Sequence, residues 1–231
     1  MTTIRTIAPV APLLAMLALG PALAGDIVGK VKYAGVAPTP AKIQVTKDQA
    51  VCGKAEHIDE SLLVGPDKGV KNVVANVSDP KDGKKYTPPQ KPSLDQNGCK
   101  FVPHVDIVPA GQEIDIVNSD GILHNIHTFP KGNPPFNKAQ PKFKKVMTAK
   151  FDNPDLVQIK CDVHSWMSGW IVVAGHAYYA LTDAAGNFKI ANAPAGTYTL
   201  EFWHEKLGKQ SKSVTVPATG SVTVDLEYAA K

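Results

Sequence analysis

What this chain has little of narrows it first. It holds three cysteines in 231 residues. That is too few for the disulfide lattice of a small secreted scaffold, and the odd number leaves one thiol over. An excess of one charge is also missing. Lys and Arg number 25 against 21 Asp and Glu, a formal net charge of +4, which is not a nucleic-acid footprint. Long amphipathic helical periods are hard to find, which argues against an all-α fold. Beyond residue 24 no segment is apolar enough to cross a bilayer, so no stable membrane insertion is expected of the mature chain.

The long apolar run lies at the start. Arg5 precedes Val10 to Leu19, a run broken only by Pro12, and Ala22-Leu23-Ala24 has the small-x-small form of a signal-peptidase site. Residues 1–24 therefore read as a cleaved secretory signal, with Gly25 as the first mature residue; an uncleaved anchor is the rival. Losing Arg5 takes Lys and Arg from 25 to 24 against 21 acidic residues, leaving +3. A periplasmic or secreted protein meets an oxidising compartment. Cys52 in "AVCGK" and Cys99 in "QNGCKF" sit in turn-like contexts and are the expected disulfide. Cys161 is then the free thiol, although spacing alone does not fix the connectivity.

The remaining residues are more than one small core needs, so two domains are expected. Short β-branched runs alternate with polar residues between Gly and Pro turns, the pattern of an antiparallel sandwich or barrel. "GQEIDIVNSD" sets Ile114 and Ile116 on one face, and "DLVQIKC" sets Val157, Ile159 and Cys161 on one face. Past Gly175 the alternation grows more regular, with turns at Ala185-Gly186-Asn187, Pro194 to Gly196 and Ala218-Thr219-Gly220. This tail, 176–231, reads as a second, small β-sandwich packed closely on the first. Residues 131–150, "KGNPPFNKAQPKFKKVMTAK", carry six Lys and three Pro with little periodicity. They read as a solvated loop, or as a basic docking surface for an acidic partner protein.

The chemistry concentrates in "KCDVHSWMSGW". Cys161, His164 and Met167 have a bland reading as a buried thiol, a surface imidazole and a core thioether. The upstream "NSDGILHNIH" changes that. A strand-end His followed much later by Cys, His and Met in one tight loop supplies a His₂Cys plane and a long axial Met, the ligand set of a mononuclear blue-copper site. Structural zinc commonly takes two or more cysteines, and the cluster offers one. A Cys-His nucleophile pair lacks an evident acid–base partner or oxyanion element. A binuclear copper centre needs a second loop cysteine.

These residues resemble the cupredoxins. "NSDGILHN" resembles their first-ligand strand, "CDVHSWM" their ligand loop with amicyanin-like Cys-x2-His-x2-Met spacing, and "CKFVPHVDIVPAGQEIDIVNSD" their strand pair. The resemblance spans roughly 95–175. It implies His124, Cys161, His164 and Met167 as ligands to one copper ion, and Asn125 as a brace of the ligand loop. Spacing alone does not choose between His124 and His127, which a plain strand points to opposite faces; the resemblance favours His124. His104, His127 and His176 remain alternative ligands. His204 and His57 match nothing in the pattern. The tail "HAYYALTDAAGNFKIANAPAGTYTLEFW" resembles transthyretin-like, carboxypeptidase regulatory-like domains, and the combination resembles exported methylamine-utilisation-type proteins.

The expectation is thus all-β: a cupredoxin-like Greek-key sandwich at 95–175, preceded by a β-rich extension at 25–94 and followed by a regulatory-like sandwich at 176–231. The expected function is single-electron transfer between periplasmic redox partners, carriage rather than enzymatic catalysis. The alternatives are a copper-binding or delivery module without redox turnover, and a non-metal adhesion or scaffold protein.

Overall fold

The structure, a computed structural model, describes residues 23–230. The expected signal segment lies outside the described residues except for its last two. In chain order the strands begin with β1 (Ala24–Tyr33) and β2 (Val74–Val77). There follow β3 (Ser93–Gln96), β4 (Phe101–Val102), β5 (Val105–Pro109), β6 (Glu113–Asn118), β7 (His124–Phe129), β8 (Asn137–Gln140), β9 (Val146–Lys150), β10 (Asp155–Lys160) and β11 (Ser168–Ala174). The last are β12 (Tyr179–Leu181), β13 (Asn187–Pro194), β14 (Gly196–His204), β15 (Gly208–Val216), β16 (Ser221–Thr223) and β17 (Leu226–Tyr228). A short α-helix, α1 (Gln49–Cys52), and a 3-10 turn at Pro66–Lys68 lie between β1 and β2. Among the described residues no helix is long and apolar enough to cross a membrane.

The strands form two sandwiches. The first joins the sheet β5-β11-β10-β7-β8 to the sheet β4-β3-β6-β9. Its core includes Leu94, Phe101, Ile114, Ile116, Ile126, Val157, Ile159 and Ile171. The second joins β13-β1-β16, with β17 also on β1, to β12-β2-β14-β15. Its core includes Ile27, Val31, Val77, Phe188, Leu200 and Phe202. A third apolar seam holds the two together: Val74, Val105, Ile107, Val172 and Ala174 are buried there, with Trp170, Tyr179 and Trp203 packed against them.

That seam explains the continuous apolar run of β11, which lacks polar alternation because both its faces are covered. Ile171 and Val173 enter the first sandwich's core, while Val172 and Ala174 enter the seam. At the turn before β13, Asp183 Oδ1 accepts the N–H groups of Ala185 and Asn187, both at 2.9 Å. Gly186 there has φ +80, and a Cβ on it would stand 2.3 Å from the Val31 carbonyl oxygen. Only glycine meets both demands.

Three expectations change. Residues 25–94 are not a separate extension. β1 pairs with β13, β16 and β17, and β2 with β12 and β14, whereas β3 pairs with β4 and β6. The apolar faces of β1 and β2 find their partners far along the chain, and no local pattern signals that. Segment 131–150 is not simply a loop, since it contains β8 and β9. Met147 and Ala149 are buried while Val146, Thr148 and Lys150 face solvent, an alternation that the lysines mask. The sheets are also mixed rather than antiparallel throughout: β1/β16, β1/β17, β3/β6 and β5/β11 run parallel.

Two tests follow from this packing. A fragment of residues 176–231 lacks β1 and β2, so it should show no cooperative thermal melt. Asp106 on β5 is held by burial, against the opposing N–H of Ile107, at a pKa of about 6. The folded chain therefore binds more protons than the unfolded one between about pH 4 and 6, and stability falls as pH rises through that window. The loss is at most about 3 kcal/mol, and less with solvent screening of a partly exposed group. Asp106→Asn should raise the melting temperature at pH 7.5 and leave it nearly unchanged at pH 4.

Candidate metal centre

Two strands and one loop bring the donors together. β7 carries His124, Ile126 and Thr128, all buried, while His127 and Phe129 turn outward. Cys161 follows β10 on the same face as Val157 and Ile159 and is 2% exposed. Residues 161–167 close on themselves: the Met167 N–H donates to the His164 carbonyl at 2.9 Å, and the Cys161 N–H to the Met167 carbonyl at 3.2 Å. Asn125 braces this loop. Its Oδ1 accepts the N–H of Asp162 at 2.6 Å and of Val163 at 3.3 Å, and its Nδ2 donates to Asn137 Oδ1 and Asp162 Oδ2.

The donors form a small triangle. His124 Nδ1 lies 3.0 Å from His164 Nδ1, and Cys161 Sγ lies 4.0 Å and 3.9 Å from those two nitrogens. Both imidazoles are fully buried. Their outer nitrogens are taken: His124 Nε2 meets Asp120 Oδ2 at 2.8 Å, and His164 Nε2 meets Asp48 Oδ2 at 2.9 Å. An ionised carboxylate only accepts, so each Nε2 carries a proton, and each ring in its neutral, metal-binding form turns its Nδ1 lone pair inward. Two bare lone pairs at 3.0 Å repel, so a cation or a shared proton must stand between them.

The titration behaviour has the same origin. Burial disfavours the charged form of His124, but hydrogen bonds to Asp120 and to the Cys161 thiol outweigh it and push its pKa up to about 9. Burial raises the Cys161 thiol, yet the hydrogen bond from His124 and the surrounding backbone N–H groups bring it below its ordinary value. Burial lowers His164, with Asp48 pulling the other way. A lowered thiol beside an inward-facing imidazole is how a thiolate ligand is prepared.

The donor set fits a metal ion. A tetrahedral or trigonal site places ligands about 2.0 to 2.3 Å from the ion, so donors stand roughly 3 to 4 Å apart. Two imidazoles and one thiolate suit a soft or borderline ion such as copper rather than a hard cation. Met167 is buried in the same core as Cys161 and is 2% exposed.

The alternative histidines lie elsewhere. His127 contacts Asp162 through Nδ1 at 3.1 Å and packs on Phe129 with ring centroids 4.3 Å apart. His104 bonds Glu205 across the seam between the sandwiches. His176 packs on Tyr179 at 4.6 Å, and its Nδ1 accepts the Tyr178 N–H. His204 Nδ1 faces the N–H groups of Lys206 and Leu207 in the second sandwich.

Two groups escaped sequence reasoning. Asp120 stands four residues before His124 in "NSDGILHN", so its role was open to a search for acidic neighbours. Asp48 left no such signal, being 116 residues from His164. It lies four residues before Cys52, which forms a disulfide with Cys99 at a sequence separation of 47. In the chain-entropy picture a crosslink of that span stabilises by about 4 kcal/mol.

Known proteins offer partial likenesses. The model of polysaccharide lyase family 4, domain II, matches residues 146–224. That is a different family from the regulatory-like one suggested by the tail. No curated protein matches the chain in sequence. Among solved structures, the copper-containing nitrite reductase NirK of Thermus scotoductus SA-01 is 22% identical over 38% of this chain, TM-score 0.34, and the match spans only 23% of that enzyme's length. Amicyanin from Paracoccus versutus is 19% identical over 43% of this chain and 97% of its own, TM-score 0.33. A purple cupredoxin from Nitrosopumilus maritimus is 17% identical over 36% of this chain and all of its own, TM-score 0.32.

Asn125→Ala should remove the brace of the 161–167 loop and leave two backbone N–H groups without their acceptor. The expected loss is about 2 kcal/mol, read from urea unfolding of the metal-free protein.

Proposed function

We propose that this is an exported copper protein carrying single electrons; Nδ1 of His124, Nδ1 of His164 and the thiolate of Cys161 would hold one copper, with Met167 as a fourth candidate ligand. The observation that carries the reading is the buried Nδ1, Nδ1, Sγ triangle with sides of 3.0, 3.9 and 4.0 Å. Bound copper would supply the one-electron couple. The chain's own residues do the rest. Asp120 and Asp48 fix both tautomers, Asn125 and the 161–167 backbone hold the thiol in place, and the fully buried rings exclude water. A rigid, dry donor set limits rearrangement when one electron moves.

A docking surface for a redox partner is part of this proposal. β8 is an edge strand beside β7, with Gln140 opposite His124. Lys138, Lys142, Lys144 and Lys145 are exposed along it and its continuation. Phe143 is 82% exposed and Leu123 47%. An apolar centre with a basic rim suits an acidic redox partner, whose approach the lysines would steer. The export reading rests on the signal pattern before Gly25 and on the Cys52–Cys99 disulfide. The tail's likeness to regulatory-like domains remains part of the proposal, as a buttress or a docking module.

The second reading, copper holding without turnover, would use the same residues but bind one oxidation state far better. Cu(II) titration separates the two. Electron carriage predicts an intense visible thiolate-to-copper band, narrow copper hyperfine splitting and a reversible one-electron wave. Cys161→Ser should abolish the band, and His127→Ala should leave it intact. A weak band with wide splitting and no reversible wave would give the holding role precedence, and no copper affinity at all would sink both.

A further inference from the structure

The geometry points to a clamp that the metal reading does not require: a strap from outside the first sandwich, residues 48–57, closes the site by placing Asp48 on His164, and the Cys52–Cys99 disulfide locks it there. The inference rests on the copper reading for its purpose but not for its geometry. Asp48 lies one residue before α1, and its carbonyl accepts the N–H of Cys52 at 2.9 Å. The strap is thus one hydrogen-bonded turn between the carboxylate on His164 and the disulfide. On the other side of the bridge, the N–H groups of Gly98 and Cys99 donate to Asp120 Oδ1 and Oδ2 at 2.6 and 2.8 Å. Asp120 is the carboxylate on His124. A single covalent bridge therefore ties together the outer partners of both ligand imidazoles.

The rest of the strap completes the lid. His57 Nε2 bonds the Cys52 carbonyl at 2.8 Å and is 3% exposed. Its ring meets Trp166 edge-on at 6.1 Å, and Trp166 lies 5.2 Å from the His164 ring. Trp166 Nε1 donates to the Cys99 carbonyl at 3.1 Å. His164 is thus enclosed by Asp48 and Trp166, with His57 and the disulfide behind them. Both sulfurs are fully buried, yet β1 and β2, which flank the strap in sequence, pair within the second sandwich. Asp48 is a positioning residue: it fixes the outer proton of His164 and shuts off the ring, and it touches no reacting atom.

The test uses the purified full chain, wild type and as Asp48→Ala, Asp48→Asn, Asp48→Gly and Cys52→Ser/Cys99→Ser, each first shown to melt cooperatively. In metal-free protein, diethylpyrocarbonate should leave His164 unmodified in the wild type and modify it in Asp48→Ala and in the double variant, as mapped by mass spectrometry. In copper-loaded protein, release to a chelator should quicken by about 10- to 100-fold in Asp48→Ala. Asp48→Asn, which keeps an accepting oxygen, should restore part of that loss, whereas Asp48→Gly, which suits the left-handed backbone there (φ 51) but has no oxygen, should not. His164 remaining protected in folded Asp48→Ala with copper release unchanged would overturn the clamp. An open site in Asp48→Ala with a closed one in the double variant would overturn the disulfide's part alone. If the wild type binds no copper, the function reading fails while the modification arm still decides the clamp.

Discussion

Two buried imidazoles, each gripped at its outer nitrogen by a carboxylate, set the terms for everything around them. A histidine that gives its Nε2 proton away has its Nδ1 lone pair committed to one direction. When two such rings face each other at 3.0 Å beside a thiol, the interior holds an electrostatic demand that packing alone cannot meet. The first sandwich tolerates this because the groups that hold the donors are themselves held. Asn125 serves the loop backbone, Asp120 is itself anchored by two N–H groups, and Asp48 is delivered from another part of the chain. Burial of such a group without these partners would cost several kcal/mol.

The position of that cluster follows from sheet order. β7 and β10 are neighbours in the five-stranded sheet, so the start of one and the exit of the other lie at the same end. Lys160 pairs with His127 in register, and the chain then leaves the sheet at Cys161. The next turn carries His164 back over His124. β11 returns beneath it and, being buried on both faces, pins the loop's C-terminal side to the whole molecule.

Much of this was legible in residue order. The alternation of Ile114 with Ile116, and of Val157, Ile159 and Cys161, is a local property, and the strands follow it. The spacing of Cys161, His164 and Met167 is likewise local, and so is the turn at Ala185-Gly186-Asn187. What residue order hid was long-range. β1 looks like any strand, and nothing near Ile27 says that its partner is Ile190. Lysine-rich composition concealed β8 and β9, whose exposed positions hold the charges. Asp48 could not be read at all: a carboxylate acquires its role from what the fold sets beside it, and that neighbour lies more than a hundred residues away. The pairing of Cys52 with Cys99 hinted that the strap comes near, without saying what it brings.

The placement of β1 has a consequence for how the molecule is made. The strands of the first sandwich, β3 to β11, run without interruption from Ser93 to Ala174 and can pair as they emerge. The second sandwich is split around them, its central β1 waiting for β13, β16 and β17 at the far end. Such closure is slow because its loop entropy must be met before its contacts form. The strap between β1 and β2 is anchored in sequence on that late-closing sheet, whereas the ligand loop belongs to the contiguous one. Contact order alone would have the donor loop form before the strap closes over it.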